Sequence, residues 1–274
     1  MALPELKIVD IGTGKISYRE RGSGPPLVFV HGLGGRSASW TTQYENFSGR
    51  YRVIAWDAPG YGESTDLATE SPVIADYVDA LARLVDALGV ERMHLVGHSI
   101  GTVMVTAYHK RYPDRLLSLT LAEAVTGSGL EDAGIREKLV HDRDELLDRI
   151  GPEKFARSRT PNSVSPSAGP EVVEQAVANA IQMRVPGYKR AYRALVAANI
   201  FDEIAPVRVP ALIVAGSDDK TASPEMVRSI ADAMAGARFE TIPDIGHQIF
   251  IEHPERFNGI LADFLAGAAE QAAA

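Results

Sequence analysis

The pentapeptide GHSIG at 97–101 constrains the fold of this chain more than any other part of its sequence. It follows the apolar run MHLV at 93–96 and precedes TVMVTAYHKRY at 102–112, a stretch with helical character. A serine flanked by glycines between a buried strand and a helix is typical of a sharp turn, in which larger neighbouring side chains would clash. Such a turn exposes the serine hydroxyl at the edge of a sheet. The motif therefore predicts that Ser99 is a nucleophile.

Short runs of β-branched and apolar residues recur along the first part of the chain, separated by turn-forming residues. We predict strands at 6–11, 15–20, 27–30 and 52–57. The segment 73–88 instead repeats an apolar residue every three or four positions, which is typical of an amphipathic helix. This alternation predicts an α/β fold with a mostly parallel central sheet and helices on both faces.

The pattern of the chain changes between residues 126 and 204. A charged stretch with helical character spans 131–149, and TPNSVSPSAGP at 160–170 is typical of a loop. No apolar run resembling a strand occurs until ALIVAGSDD at 211–219, after which 237–243 predicts a last strand. We therefore predict a helical insertion at 126–204 in a core domain formed by residues 1–125 and 205–274.

A second glycine-rich motif, HGLGG at 31–35, directly follows the predicted strand at 27–30. A loop in this position can donate a backbone N–H to an oxyanion, and the residue after the nucleophile can donate another. We assign these two N–H groups to Leu33 and Ile100. Substrate contacts are predicted for His31, Gly32 and His98, although the His98 side chain is expected to point away from the Ser99 hydroxyl and to pack or hydrogen-bond.

A neutral serine needs a base to remove its proton, and imidazole is the usual one. The chain has seven histidines. His247 lies in a loop directly after the last predicted strand, whereas His109 and His141 fall on predicted helices and His94 in a strand. His253 begins the final helix, where a capping or surface role is expected. We therefore assign the base to His247.

The acid of the triad has two candidate positions in the sequence. The strand at 211–216 ends in Ser217-Asp218-Asp219, and the third residue after Gly216 is the usual acid of such sites. This choice gives Asp219, with Asp218 exposed or capping a turn. Glu123, at the end of the apolar run LLSLTLAEA, is the alternative, because some proteins of this type place the acid after that strand.

The charge and composition of the chain exclude several classes of function. A net charge of −8 over 274 residues would repel nucleic-acid phosphates. No apolar segment approaches the length of a membrane span, and the N-terminus lacks the apolar core of a secretory signal. The i, i+4 spacing of His94 and His98 straddles a strand and a turn, so no metal site is predicted. We expect a cytoplasmic protein with a small-molecule substrate, no cofactor and no membrane or nucleic-acid partner, with a homodimer left open.

The motifs together resemble those of the α/β-hydrolase superfamily, in the same order and over nearly the whole chain. They are HGLGG at 31–35, DAPGYGES at 57–64, GHSIG at 97–101, GSDD at 216–219 and GHQIFIEHPERF at 246–257. The resemblance implies a helical lid between the sixth and seventh strands, which fits the insertion at 126–204. Ser99 excludes the branches with an aspartate nucleophile, namely haloalkane dehalogenases and epoxide hydrolases.

Within this superfamily the chain looks most like 3-oxoadipate enol-lactonases and related small esterases. This likeness comes from PGY at 186–188, RALVAANIFDEI at 193–204 and TASPEM at 221–226. The chain departs from the pattern at Thr102, where glycine is common, and at Ser223, where proline is expected. Meta-cleavage-product hydrolases are also similar, but His98 and Gln248 replace the asparagine and tryptophan often found there.

We expect a serine hydrolase that cleaves a carboxylic ester or an enol-lactone through an acyl-enzyme. An alternative is hydrolysis of a carbon–carbon bond in a meta-cleavage-type dioxo acid, with a basic lid residue such as Arg184, Arg190 or Arg193 binding the substrate carboxylate. A third hypothesis, from a different class, is a ligand receptor built on the same fold.

Overall fold

The computed structural model describes residues 2–273, so positions 1 and 274 of the predicted core domain lie outside the described residues. The strands are β1 (Leu6–Asp10), β2 (Lys15–Arg21), β3 (Pro26–Val30), β4 (Arg52–Trp56), β5 (Met93–His98), β6 (Leu116–Ala122), β7 (Ala211–Gly216) and β8 (Arg238–Ile242). The helices are α1 (Thr41–Phe47), α2 (Ile74–Ala87), α3 (Ile100–Arg111), α4 (Ala133–Arg159), α5 (Pro170–Ile181), α6 (Val185–Ala197), α7 (Ile200–Glu203), α8 (Pro224–Ala233), α9 (Ile249–Glu252) and α10 (Pro254–Ala273).

All eight strands belong to one sheet, in the order β1-β2-β4-β3-β5-β6-β7-β8. β2 pairs antiparallel with β1 and β4, and the other neighbouring strands are parallel. Parallel strands need crossover connections, and these are supplied by the helices between them. The predicted mostly parallel α/β sheet is confirmed.

Helices cover both faces of the sheet. Since successive side chains of a strand point to opposite faces, alternate residues of one strand pack against different helices. Val28 and Val30 of β3 belong to an apolar core shared with α2 and α3. Leu27 and Phe29 belong to a second core shared with α1 and α10. A strand enclosed in this way must be apolar at every position, which explains the unbroken run LVFV.

Between β6 and β7, the described chain contains four α-helices, α4 to α7, a short 3₁₀ helix at Thr160–Ser163, and no strand. α4 is interrupted at Gly151, whose backbone is non-helical with φ 75° and ψ 164°. Apolar residues of α4 and α6 form a separate cluster of Leu147, Phe155, Tyr188, Tyr192 and Val196. The division of the chain into a core domain and an insertion at 126–204 stays a prediction.

Among the described helices, none combines the length and the apolar content needed to cross a bilayer.

The parallel strands end at the same edge of the sheet, and the loops after them carry the predicted site. Residues 31–35 follow β3, and Ser99 follows β5. Glu123 follows β6, Asp219 lies after β7, and His247 lies after β8. The topology therefore gathers residues that are far apart in sequence at the carboxyl edge of an open sheet, where ligands bind in α/β folds.

Candidate active site

The backbone at Ser99 adopts a conformation that side-chain-bearing residues rarely occupy, with φ 54° and ψ −124°. It is held there by close packing, because a β-carbon at Gly97 would lie 2.5 Å from the carbonyl oxygen of Gly101. A β-carbon at Gly101 would lie 2.5 Å from the carbonyl oxygen of Val30. Such strained residues cost about 1–3 kcal/mol and occur where a site requires a particular geometry. The two glycines therefore allow the turn that presents the Ser99 hydroxyl.

Ser99, His247 and Asp219 form a continuous hydrogen-bonded chain. The Oγ of Ser99 lies 2.9 Å from Nε2 of His247, and Nδ1 of His247 lies 2.6 Å from Oδ2 of Asp219. All three residues are buried. Because a carboxylate can only accept, Nδ1 carries the imidazole proton and Nε2 is free to accept from the serine hydroxyl. This arrangement can transfer the serine proton to an imidazole.

The Asp219 carboxylate is fixed by the turn that follows β7. Its Oδ1 accepts the backbone N–H groups of Thr221, at 2.7 Å, and Ala222, at 3.0 Å. Burial alone would raise the pKa of Asp219, but the charge and hydrogen bond of His247 outweigh it and lower the pKa below its ordinary value. The neighbouring Asp218 is half-buried and accepts the Ser165 hydroxyl. Asp219 is therefore ionised and faces the imidazole.

Glu123, the alternative acid, lies next to Asp219 but makes no hydrogen bond to His247. It is fully buried, and its Oε1 accepts the backbone N–H of Gly216 at 2.9 Å. Burial, together with the charge of Asp219, raises the pKa of Glu123 well above its ordinary value. A protonated Glu123 can donate a hydrogen bond to Asp219, which also helps to lower the pKa of Asp219. The structure thus brings Asp219, and not Glu123, into contact with the imidazole.

Glu123, Asp219 and His247 bring three metal-ligand atoms within 4.8 Å of one another. The contacts of the three side chains already account for this closeness. His247 is bound to Ser99 and Asp219, and Asp219 also accepts two backbone amides. These hydrogen bonds explain why the three ligand atoms lie so close together.

The two predicted oxyanion donors belong to the elements expected for them. Ile100 is the first residue of α3, so its N–H has no acceptor within the helix. Leu33 lies in the 31–35 loop and lines the same cavity as Ser99. The Tyr61 hydroxyl donates to the Leu33 carbonyl oxygen at 2.9 Å and holds the loop. The oxyanion role of both amides stays a prediction.

The structure separates the three residues predicted to contact substrate. Gly32 and His98 line the cavity, but His31 does not. Nε2 of His31 accepts the Ala58 N–H at 3.0 Å, so Nδ1 carries the proton and donates to the Gly32 carbonyl oxygen at 2.8 Å. Both ring nitrogens are thus engaged within the protein. The substrate contact expected for His31 is corrected to support of the 31–35 loop.

His98, at the end of β5, contacts the loop that carries His247. Its Nε2 donates to the carbonyl oxygen of His247 at 2.8 Å, and its ring packs edge-on against Phe250. Burial, and next the proximity of His247, lower the pKa of His98 to about 3, so the ring is neutral. His98 therefore helps to position His247 through its carbonyl oxygen and does not compete for the Ser99 proton.

Glu252 was missed by the sequence analysis. This buried carboxylate accepts the backbone N–H groups of Gly246 and Gln248, each at 3.0 Å, on either side of His247. It also accepts the N–H of Ser165 at 2.8 Å. The sequence offered one sign of this role, because Glu252 directly follows the apolar run IFI at 249–251, where an acidic residue is unexpected. Glu252 therefore ties the loop that carries His247 to the loop between α4 and α5.

A cavity of about 190 Å³ lies between Ser99 and the helices that follow β6. Ser99 and His247 line it on the sheet side, whereas Arg143, Arg159 and Tyr188 line it on the side of α4 and α6. Its volume is below the 300–1,000 Å³ or so that is usual for drug-sized ligands. The arrangement therefore suits a small substrate.

The three arginines named from the sequence for the carbon–carbon hypothesis do not line this cavity. Arg184 lies 3.2 Å from Asp66 and donates to the Ser64 carbonyl oxygen. Arg190 is paired with Glu70, and Arg193 with Asp144. Their partners lie far away in sequence, so the pairing was not visible there. The expectation that one of them binds a substrate carboxylate is corrected.

Comparison with known proteins gives a family match over most of the chain. Residues 25–254 match a family model described as alpha/beta hydrolase fold. A 2-hydroxy-6-oxononadienedioate/2-hydroxy-6-oxononatrienedioate hydrolase of Paraburkholderia phymatum is 27% identical in an alignment of length 285, gaps included. The alignment covers 95% of this chain and 94% of the relative.

Two solved structures resemble the whole chain. A thermophilic esterase from Thermogutta terrifontis, determined with malate bound, has a TM-score of 0.87 at 26% identity, covering 96% of this chain and 99% of its own. The enol-lactonase from Burkholderia xenovorans LB400 has a TM-score of 0.85 at 25% identity, covering 95% of this chain and 100% of its own.

The protonation of Glu123 has a measurable effect on stability. The unfolded chain loses this proton above the ordinary glutamate pKa of about 4.3, whereas the folded chain keeps it, so folding takes up a proton and stability falls by about 1.4 kcal/mol per pH unit. Glu123→Gln removes this contribution. As the pH increases from about 5 to 7, the free energy of unfolding of the variant should therefore rise relative to that of the wild type. Urea denaturation of both proteins across this pH range measures the difference. If the two free energies of unfolding changed in parallel with pH, Glu123 would be ionised in the folded chain.

Proposed function

This chain belongs to the alpha/beta hydrolase fold family, and we propose that it is a serine hydrolase that cleaves a carboxylic ester or lactone of a small substrate. The family match and the neighbouring structures confirm the resemblance noted in the sequence. The observation that carries the proposal is the hydrogen-bonded chain Ser99–His247–Asp219, which opens onto a small cavity.

The proposed reaction starts with attack of the Ser99 oxygen on the substrate carbonyl carbon, as the serine proton moves to Nε2 of His247. Asp219 stabilises the imidazolium that forms. The backbone N–H groups of Leu33 and Ile100 stabilise the oxyanion, a contribution that is typically about 10²–10³-fold in rate for each donor. His247 then protonates the leaving oxygen, which leaves an acyl group on Ser99.

Water completes the cycle by the same steps. His247 takes a proton from water as it attacks the acyl carbon, and then returns a proton to Ser99 when the acid leaves. With a lactone, the alcohol and the acid remain parts of one product molecule. These steps use side chains, backbone amides and water. The likeness to an esterase and to an enol-lactonase supports an ester or lactone as the substrate.

A second candidate function is hydrolysis of a carbon–carbon bond in a dioxo acid. The similarity to a 2-hydroxy-6-oxononadienedioate hydrolase favours it. The same triad would serve, but Arg184, Arg190 and Arg193 are paired elsewhere. A receptor that binds its ligand without rapid turnover is the remaining hypothesis. Multiple turnovers on simple esters favour the ester hydrolase over both.

We propose a cytoplasmic enzyme with a small-molecule substrate and without nucleic-acid or membrane partners. Its acidic surface, with a net charge of −8, supports the absence of a polyanionic partner.

Ester hydrolysis should depend on Ser99. We expect the wild type to turn over p-nitrophenyl esters, with short acyl chains preferred because the cavity is small. Ser99→Ala should lower kcat/KM by at least about 10³-fold, because the nucleophile is lost. Ser229→Ala, an exposed serine of α8, is the matched control and should keep wild-type activity. Turnover that survives in Ser99→Ala would refute the proposal.

The two candidate acids should respond differently to amide substitution. Asp219→Asn should lower kcat by about 10⁴-fold, because an amide no longer selects the reactive tautomer of His247. Glu123→Gln should stay within about threefold of the wild type, since a glutamine can donate to Asp219 and accept from Gly216 as a protonated glutamate does. Steady-state kinetics of the two variants measures this contrast. The reverse pattern would assign the acid to Glu123.

A further inference from the structure

Two arginines of α4 face the candidate active site from opposite sides of the interruption at Gly151. Arg143 and Arg159 both line the cavity that also contains Ser99. Arg143 is half-buried, and Arg159 is exposed. Ser99 and the two arginines therefore line one cavity.

Neither arginine meets a carboxylate within the part of the chain that the structure describes. In contrast, Arg157 of the same helix lies 3.3 Å from Glu174 and 3.4 Å from Glu153. Arginine side chains near acidic groups usually form such pairs, because a guanidinium matches a carboxylate in charge and shape. Among the described residues, Arg143 and Arg159 are thus two cations that pair with no carboxylate.

The charged side chains that line the cavity are all basic among the described residues. Although the chain carries a net charge of −8, no aspartate or glutamate is among the described residues that line the cavity. Desolvation and the charge of Arg143 lower the pKa of Arg159 from its ordinary value. Two guanidinium groups that destabilise each other in this way would both gain from an anion placed between them.

Aromatic residues hold Arg143 in position before any ligand arrives. Its guanidinium carbon lies 4.1 Å from the ring centre of Tyr192, and Nη1 donates to the Tyr188 hydroxyl oxygen at 2.9 Å. The ring centre of Phe155 lies 5.9 Å from the guanidinium carbon of Arg143 and 5.8 Å from that of Arg159. The two cations therefore flank one aromatic ring. Because Arg143 is already held in place, its side chain loses little conformational entropy when an anion binds there.

We propose that Arg143 and Arg159 bind a carboxylate of the substrate, so that the preferred substrates are esters or lactones that carry a free carboxylate. This inference rests on the proposed function of Ser99. The Tyr188 hydroxyl, which lines the cavity and accepts from Arg143, can donate its own proton to the same carboxylate. The scissile carbonyl group then lies at Ser99 while the anionic end of the substrate lies under α4.

A pair of esters that differ only at the far end of the acyl chain tests the proposal. Monoethyl adipate and ethyl hexanoate have the same chain length, but the first ends in a carboxylate and the second in a methyl group. We expect the wild type to prefer the anionic ester, as measured by initial rates in a pH-stat. Arg159→Gln should lower kcat/KM for monoethyl adipate by about 10- to 100-fold, mainly through KM, because a hydrogen bond to a charged group contributes about 1.5–3 kcal/mol.

The neutral ester serves as the internal control for folding and for the triad. Its kcat/KM should stay within about threefold of the wild type in Arg159→Gln, because the substitution removes a contact that only the carboxylate makes. Arg143→Lys keeps the charge but loses the planar fork, so it should give a smaller loss on the anionic ester alone. Arg157→Gln changes the same charge on the same helix and should alter neither ester.

Binding of adipate to the Ser99→Ala protein, measured by calorimetry, tests the anion site without any turnover. We expect adipate to bind, and to bind at least about tenfold more weakly once Arg159→Gln is added. Ser99-dependent hydrolysis of both esters with no preference, and no effect of the arginine variants, would overturn this inference and leave the proposed function intact. Adipate binding that requires Arg159, without hydrolysis of either ester, would uphold the anion site and refute the proposed function.

Discussion

The backbone conformation of Ser99 is the constraint on which the site depends. Its φ of 54° is possible because Gly97 and Gly101 let β5, α3 and the end of β3 approach more closely than any β-carbon permits. The same approach directs the first turn of α3 at the space beside the serine oxygen, where the positive end of the helix favours developing negative charge. A strained turn persists only where its surroundings are rigid. The central position of β5 in the sheet, with both faces covered, supplies that rigidity.

The three buried acidic residues near this turn have different partners. Asp219 is ionised and faces His247, whereas Glu123 beside it is neutral and supports Asp219. Two adjacent buried carboxyl groups cannot both ionise without a large cost in free energy, so one of the two stays protonated. Glu252 meets backbone amides instead of a cation and fixes the loop on both sides of the base. Each acidic group therefore has a distinct partner, and Nε2 of the imidazole is left free to accept the Ser99 proton.

Local motifs could predict much of this arrangement. The elbow, the glycine-rich loop and the strand ends depend on residues close together in sequence, and parallel strands bring their carboxyl ends to one edge. Contacts between distant segments could not be predicted in this way. Spacing alone does not distinguish Arg184, which pairs with Asp66, from Arg143, which pairs with no carboxylate in the described chain. The two hydrogen bonds of His31 and the three amides that meet Glu252 likewise arise only when the chain is folded.

The proposed reaction depends on activation of the Ser99 oxygen as a nucleophile by His247. Its most direct test is covalent labelling with a p-nitrophenyl phosphonate, followed by mass spectrometry of the digested protein. We expect a single adduct on Ser99, formed with release of one p-nitrophenolate, and loss of labelling in His247→Ala. An adduct on another residue, or labelling of Ser99 at an unchanged rate in His247→Ala, would contradict it.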